Sequence, residues 1–216
     1  FILLAINFII VSSVYSKTCD INTGDLKIYL SWDDESWLYS WQANKLQKKQ
    51  ASYSLSYATG RINIRKGISD KRSESLPQDL VLPDKRFDMP FDINHNGELL
   101  IATIYDNRIS LPPSKNLALV NIKRKHIIRV LETDYYVRSL VWSPDGNYFA
   151  VLFAQDVTKQ TLKRFSLGNL IGGFLGHPTS YHTFHISIYD TTGILLCTER
   201  IIESIPNGSG YIDWNK

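Results

Sequence analysis

Polar and apolar residues alternate from Tyr136 to Trp142, break at Ser143-Pro144-Asp145-Gly146, and give way to a second apolar strand ending near Phe153. Alternation at period two marks a strand with one face buried. Pro and Gly flanking Asp supply the backbone geometry of a tight turn. The segment therefore predicts a hairpin. Phe91 to Tyr105 has the same shape, with Asn94-His95-Asn96-Gly97 at the turn and Leu99 to Ile104 as the second strand. Ile28 to Trp41 reads as another copy, with Asp33-Asp34-Glu35 at its turn. At the far end, Tyr211 to Lys216 fits the first strand once more, Trp214 matching Trp142, and the chain stops mid-turn.

A second hairpin follows each of these. His185 to Glu199 turns at Thr191-Thr192-Gly193, Ser52 to Lys66 at Ala58-Thr59-Gly60, and Asn116 to Leu131 at Ile122-Lys123-Arg124. Each unit is thus expected to hold four strands, a to d, in two hairpins. The units run from about 27 to 66, 86 to 131 and 137 to 199, and a fourth is expected to start at 211–216. Four-stranded units repeated along a chain are the mark of a β-propeller, with about 40–45 residues per blade. The fold class expected is all-β: a propeller of four-stranded antiparallel blades over residues 17–216, incomplete in this chain. A β-sandwich is the alternative for short strands with regular turns. Propellers need about four to eight blades, so the natural chain is expected to continue past Lys216.

The Trp142-Ser143-Pro144-Asp145-Gly146 turn with its apolar flanks resembles the repeat of TolB-type propellers. Ile186-Ser187-Ile188-Tyr189-Asp190 followed by Thr192-Gly193 resembles the third strand of WD-repeat blades, with Tyr189 where Trp is usual. The Gly-His pair of WD repeats is missing before the first strands, and Gly176-His177 lies in another loop. The resemblance implies that b–c and d–a loops share one rim and a–b and c–d turns the other. It speaks for fold, since one fold hosts many unrelated functions.

Composition adds a compartment. Phe1 to Val11 is apolar apart from Asn7, and Val14-Tyr15-Ser16 offers a small-x-small cleavage site. An apolar run of about 7–15 residues before such a site reads as a secretory leader, here residues 1–16. The basic segment that should precede it is absent, so the sequence is expected to be cut short at its start. The run is short for a membrane span, which takes about 20 residues. A secreted or periplasmic location follows. Of the two cysteines, Cys19 and Cys197, the ordinary expectation is separate, buried or free thiols. The net charge of +3 is too mild for a nucleic-acid binder, which usually carries a basic stripe.

Candidate chemistry sits in the loops. The largest, Gln155 to Phe184, opens basic with Lys159, Lys163 and Arg164 and continues apolar and glycine-rich through Leu170, Ile171, Phe174 and Leu175. These seven residues are the candidate binding set for a protein partner. Burial against the blade is the competing reading, because exposed apolar patches are the exception. Membrane contact is expected only through the leader or this loop. Lys45, Lys48 and Lys49 are read as a b–c loop that extends a positive patch. His177, His182 and His185 lack a Cys or carboxylate companion at zinc spacing. Asp92 to Gly97 opens like a calcium loop, but Thr103 stands where the bidentate Glu belongs. No cofactor or metal is expected. No nucleophile elbow, P-loop or H-E-x-x-H motif occurs. The reading is a non-catalytic protein-interaction module. The alternatives are the N-terminal propeller of a secreted, prolyl-oligopeptidase-like hydrolase and an intracellular WD-type scaffold.

Overall fold

The computed structural model describes residues 25–32, 35–49, 55–58, 61–64, 85–106, 116–158, 180–206 and 208–215. The leader-like stretch 1–16 lies outside them. All the regular elements among the described residues are strands, and they form three four-stranded antiparallel sheets and one separate hairpin. β1 (Asp25–Trp32), β2 (Glu35–Ser40) and β3 (Lys45–Lys49) join the last strand, β14 (Ser209–Asn215), in the first sheet, ordered β14-β1-β2-β3. β4 (Leu55–Ala58) and β5 (Arg61–Ile64) are the hairpin. β6 (Lys85–Ile93), β7 (Leu99–Asp106), β8 (Asn116–Asn121) and β9 (His126–Glu132) make the second sheet in sequence order. β10 (Tyr136–Trp142), β11 (Tyr148–Asp156), β12 (Tyr181–Asp190) and β13 (Leu195–Pro206) make the third. No helix among the described residues is long and apolar enough to cross a membrane.

The third sheet lies between the other two, and its sequence says why. From Phe149 to Ala154 every residue of β11 is buried. A strand covered on both faces reads as a continuous apolar run instead of an alternating one. Ala150, Leu152, Ala154, Phe184, Ile186 and Ile188 form a core with Leu26, Ile28, Leu30, Ile212 and Trp214 of the first sheet. Phe149, Val151 and Phe153, one residue out of phase, form a core with Ile101, Leu117 and Leu119 of the second sheet. Phe149 anchors that layer, edge-on to Trp142 and stacked on Tyr189, each at 5.1 Å. Buried Tyr39 clips the first sheet to the third by donating to Glu199 Oε1 at 2.5 Å. Burial first, and then Glu199, push its phenol above the ordinary tyrosine range.

The turns repeat in atomic detail. Gly97 donates its backbone N–H to Asn94 O, and Gly146 does the same to Ser143 O, each at 2.9 Å. Both glycines are left-handed, with φ of 71° and 72°, a region glycine enters without a Cβ penalty. Asn94 Oδ1 accepts from the backbones of Glu98 and Leu99, so the residue that resembled a calcium ligand staples its own turn. A second turn type ends in a left-handed residue at Asn44, Lys125 and Gly193. In it the fourth residue donates to the carbonyl of the first, at Trp41, Ile122 and Asp190.

That second turn type corrects the first unit. The turn between β2 and β3 matches the one between β8 and β9, which joins third and fourth strands. β1 and β2 do pair as a hairpin, but as second and third strands. Residues 27–66 are therefore not one sheet, since among the described residues β4 and β5 pair only with each other. The strand expected to open a fourth unit at 211–216 instead supplies the missing first strand here, in register from Asp25↔Asn215 to Ser31↔Ser209. Its residue type was legible and its sheet was not. Pairing there covers an open edge of β1 and buries Ile212 and Trp214 against the third sheet. Lys45, Lys48 and Lys49 likewise belong to β3, an edge strand, and not to a loop. Lysines on an edge discourage further pairing, and Lys48 Nζ lies 6.0 Å from the Trp37 ring centre. Cys197 is not a free thiol but disulfide-bonded, and Cys19 is the chain's other cysteine.

The turn carboxylates make the fold acid-sensitive. At Asp145, burial favours the neutral form, but hydrogen bonds from Ser143 and Asn147 outweigh it and hold the carboxyl below its ordinary range. Asp190 behaves alike: burial opposes, while Thr192 and Ile194 hold it down. A depressed folded value contributes stability above the unfolded value, about 3.9. That contribution is lost as pH falls through the folded value. Melting temperature is expected to drop as pH falls below about 4, and less steeply in a D145N/D190N variant, whose amides keep an acceptor but no charge. Parallel curves for the two proteins would refute this.

Candidate functional site at the loop-bearing rim

Antiparallel order sends the turns at Asn94–Gly97, Ser143–Gly146 and Asp190–Gly193 to one end of the sheets and the β11–β12 connection to the other. At that second end the ends of β11 and β12 are latched by backbone. Val157 N donates to Tyr181 O, and Tyr181 N donates to Thr158 Oγ1, both at 2.9 Å. Thr158 N in turn donates to Asp156 Oδ1 at 2.9 Å. The latch holds Asp156 and His182 as directly opposed partners in the ladder.

Arg138 reaches the same place from β10. The ladder between β10 and β11 shifts register between Val137 and Ser139, which leaves Arg138 as the extra residue. A bulge residue escapes strict alternation and re-aims its side chain. Arg138 Nη2 lies 3.4 Å from His182 Nε2, across the intervening strand β11. Arginine only donates, so His182 Nε2 is the acceptor and its proton sits on Nδ1. Burial first, and then the Arg138 charge, hold this imidazole below its ordinary range, while Asp156 pulls the other way. The ring is 8% exposed and neutral. It lies beside Phe184, with ring centres 6.5 Å apart.

Two donors in this cluster have no acceptor. His182 Nδ1 and Arg138 Nε are both buried and make no hydrogen bond. Buried polar groups in folded proteins are nearly always paired, and each exception calls for a cause. Leaving a donor unpaired costs about 1–3 kcal/mol. The cluster combines the Arg138 charge with the Asp156 carboxylate, and both of its unpaired groups are donors.

His185 takes no part in it. Three residues along a strand is an odd step, so His182 and His185 face opposite sides of the third sheet. His185 stacks on Tyr135, with ring centres 5.0 Å apart, on the side of the second sheet. Burial first, and then Arg200, lower its ring, with Glu203 opposing. Among the described residues no group of three or more His, Cys, Asp or Glu is placed to hold a metal ion. His177 lies outside the described residues.

The sequence-expected binding set of Lys159, Lys163, Arg164, Leu170, Ile171, Phe174 and Leu175 also lies outside the described residues. The loop that carries it leaves the third sheet at Thr158 and returns at Ser180, beside the Arg138–His182 cluster. Arg138 itself was missed by sequence reasoning. Its signal was a charged side chain inside the alternating segment Tyr136–Trp142, where a polar outward position was the simpler reading.

No protein-family model matches this chain, and no curated protein matches it in sequence.

Proposed function

We propose that this chain is an arc of a β-propeller, secreted or periplasmic, that serves as a non-catalytic protein-interaction module through its loop-bearing rim. The observation that carries the interaction reading is the pair of unpaired buried donors on Arg138 and His182, set beside the longest connection of the chain. A rigid sheet with chemistry held at its loop ends is how binding sites are commonly built.

The propeller reading is supported by how the sheets meet. Their first strands touch in sequence, β6 with β10 and β10 with β14. Each contact carries a polar tie. Trp142 N donates to Asp92 Oδ2 at 2.8 Å, and Trp142 Nε1 to Asp92 O at 3.2 Å. Ile212 N donates to Ser139 Oγ at 3.2 Å. Contacts between successive first strands are what blades radiating from a common axis produce. The disulfide at Cys197 supports an oxidising compartment, where such bonds persist.

The test is affinity capture from secreted or periplasmic extract. The intact chain is compared with one whose residues 168–176 are replaced by a Gly-Ser linker of equal length. A partner held by the first and lost by the second is the expected result. Identical partners for both would count against this rim.

A further inference from the structure

We infer that the hairpin β4–β5 docks on the far face of the second sheet, the one turned away from the third, and that this contact closes the face to any other chain. The inference rests on burial and strand register and stands apart from the reading of the loop-bearing rim. The hairpin brings an apolar face that its own two strands cannot cover. Its register sets Leu55 opposite Ile64 and Tyr57 opposite Ile62, with Ser56 opposite Asn63 and Ala58 opposite Arg61. Directly opposed residues share a face, and successive residues alternate between faces. Leu55, Tyr57, Ile62 and Ile64 therefore belong to one face and Ser56, Ala58, Arg61 and Asn63 to the other. An isolated two-stranded hairpin is marginal at best in water, and an apolar sheet face is stable only against a second layer.

The second sheet supplies that layer. Ile101, Leu117 and Leu119 pack against the third sheet. Leu100, Ala102, Ala118 and Val120 are one residue out of phase with them and face the other way. With Ile104 they form a core of their own, rimmed by the half-buried Phe87, Phe91, Ile93, Ile122 and Ile127. Among the described residues, every side chain in this core belongs to the second sheet. Yet Leu100, Ala102, Ala118 and Val120 are 0% exposed. Side chains that stand up from an open sheet keep their tips in water, so this face is covered by another layer. Chain order selects the hairpin. It falls between the first sheet and β6, and residues 65–84 join it directly to β6 of the sheet in question. Consecutive elements are usually neighbours in space. The other apolar stretches start elsewhere. Residues 1–16 lead to Cys19, the cysteine left to bond Cys197, and Cys197 lies in the core between the first and third sheets. Leu170 to Leu175 sit in a loop that begins and ends on the third sheet.

The test is photo-crosslinking in the intact chain. Ile127, half-buried at the margin of this face, is exchanged for the photoreactive p-benzoylphenylalanine, and the linked peptides are identified by mass spectrometry after irradiation. The expected result is a link within one chain to residues 55–64. A link to residues 1–24, 107–115 or 159–179, or one between two chains, overturns the inference by naming another cover. A label that links only within its own sheet overturns it too. A second measurement is methyl NMR with a soluble gadolinium chelate, which relaxes methyl groups that water can reach. Ile62→Asn, on the apolar face of the hairpin, is expected to raise the relaxation of the Leu100 and Val120 methyls several-fold. The methyls of Leu117 and Leu119, on the opposite face of the second sheet, should not change. Asn63→Ser, on the polar face of the hairpin, should leave all of them unchanged. Unaltered relaxation at Leu100 and Val120 in Ile62→Asn overturns the docking, and an equal rise in Asn63→Ser overturns the assignment of faces. Where Ile62→Asn fails to fold, the crosslink, made with the hairpin intact, decides alone.

Discussion

Replacing Phe184 by alanine is expected to destabilise the fold by about 3–5 kcal/mol, the range for emptying a buried aromatic site. Phe184 is fully buried on β12 and faces the first sheet, in one cluster with Leu30, Leu152 and Ile212. Its ring also fills the space left by Gly210 of the last strand and by Gly208 just before it. Phe184 Cε1 stands 3.1 Å from where a Cβ on Gly210 would be, and Cε2 3.1 Å from one on Gly208. The neighbours are β-sheet backbone on both sides, which cannot slide inward without breaking ladders, so the cavity should persist and the cost should sit high in the range. Denaturant unfolding of the two proteins measures it, with the slope checked for unchanged two-state behaviour. A loss below about 1 kcal/mol would mean that the interface between the first and third sheets does not hold the molecule together.

Gly210→Ala is expected to cost about 1–3 kcal/mol for the opposite reason, overpacking. The added methyl would stand 2.7 Å from Leu152 Cδ2 and 2.9 Å from Leu30 Cδ2. Those two leucines are buried and belong to different sheets, so making room pries the sheets apart. The two changes are coupled. Removing the Phe184 ring clears one of the three contacts, so the double variant should lose less than the sum of the singles, as neighbouring sites do. Strict additivity in a double-mutant cycle would show that β14 does not pack over Phe184. The same pair also tests the placement of β14, because the clash exists only if this strand lies against the first sheet's Leu30 and the third sheet's Leu152.

That placement marks the boundary between what could be read along the chain and what could not. The hairpin at Ser143–Gly146 was legible because a turn is local chemistry: Pro sets φ, Gly takes the left-handed position, and the flanking alternation fixes the faces. The match of Asn94–Gly97 to it was legible for the same reason, and the two turns share their hydrogen bonds. The membership of Tyr211–Asn215 was not legible. A strand's sequence specifies which side is apolar but not which partner edge it meets, and the partner here lies at the other end of the chain. The first unit was misread in consequence, since its first strand is not contiguous with the other three.

The site divides in the same way. His177, His182 and His185 stood out in the sequence as a cluster, and the period of a strand already separates the last two onto opposite faces once their strand is known. Arg138 became a site residue only through the register shift after Val137, a tertiary feature that no local pattern announces. Its approach to His182 crosses a strand and spans residues far apart in the chain. The sequence alone determined the all-β class and the repeated turns, because these follow from backbone geometry and burial within a few residues. Only the tertiary structure decided which strands share a sheet, which cysteine is oxidised, and which buried donors are left without a partner. Those depend on contacts between distant segments, where the free energy of pairing is shared among many residues and written in none of them singly.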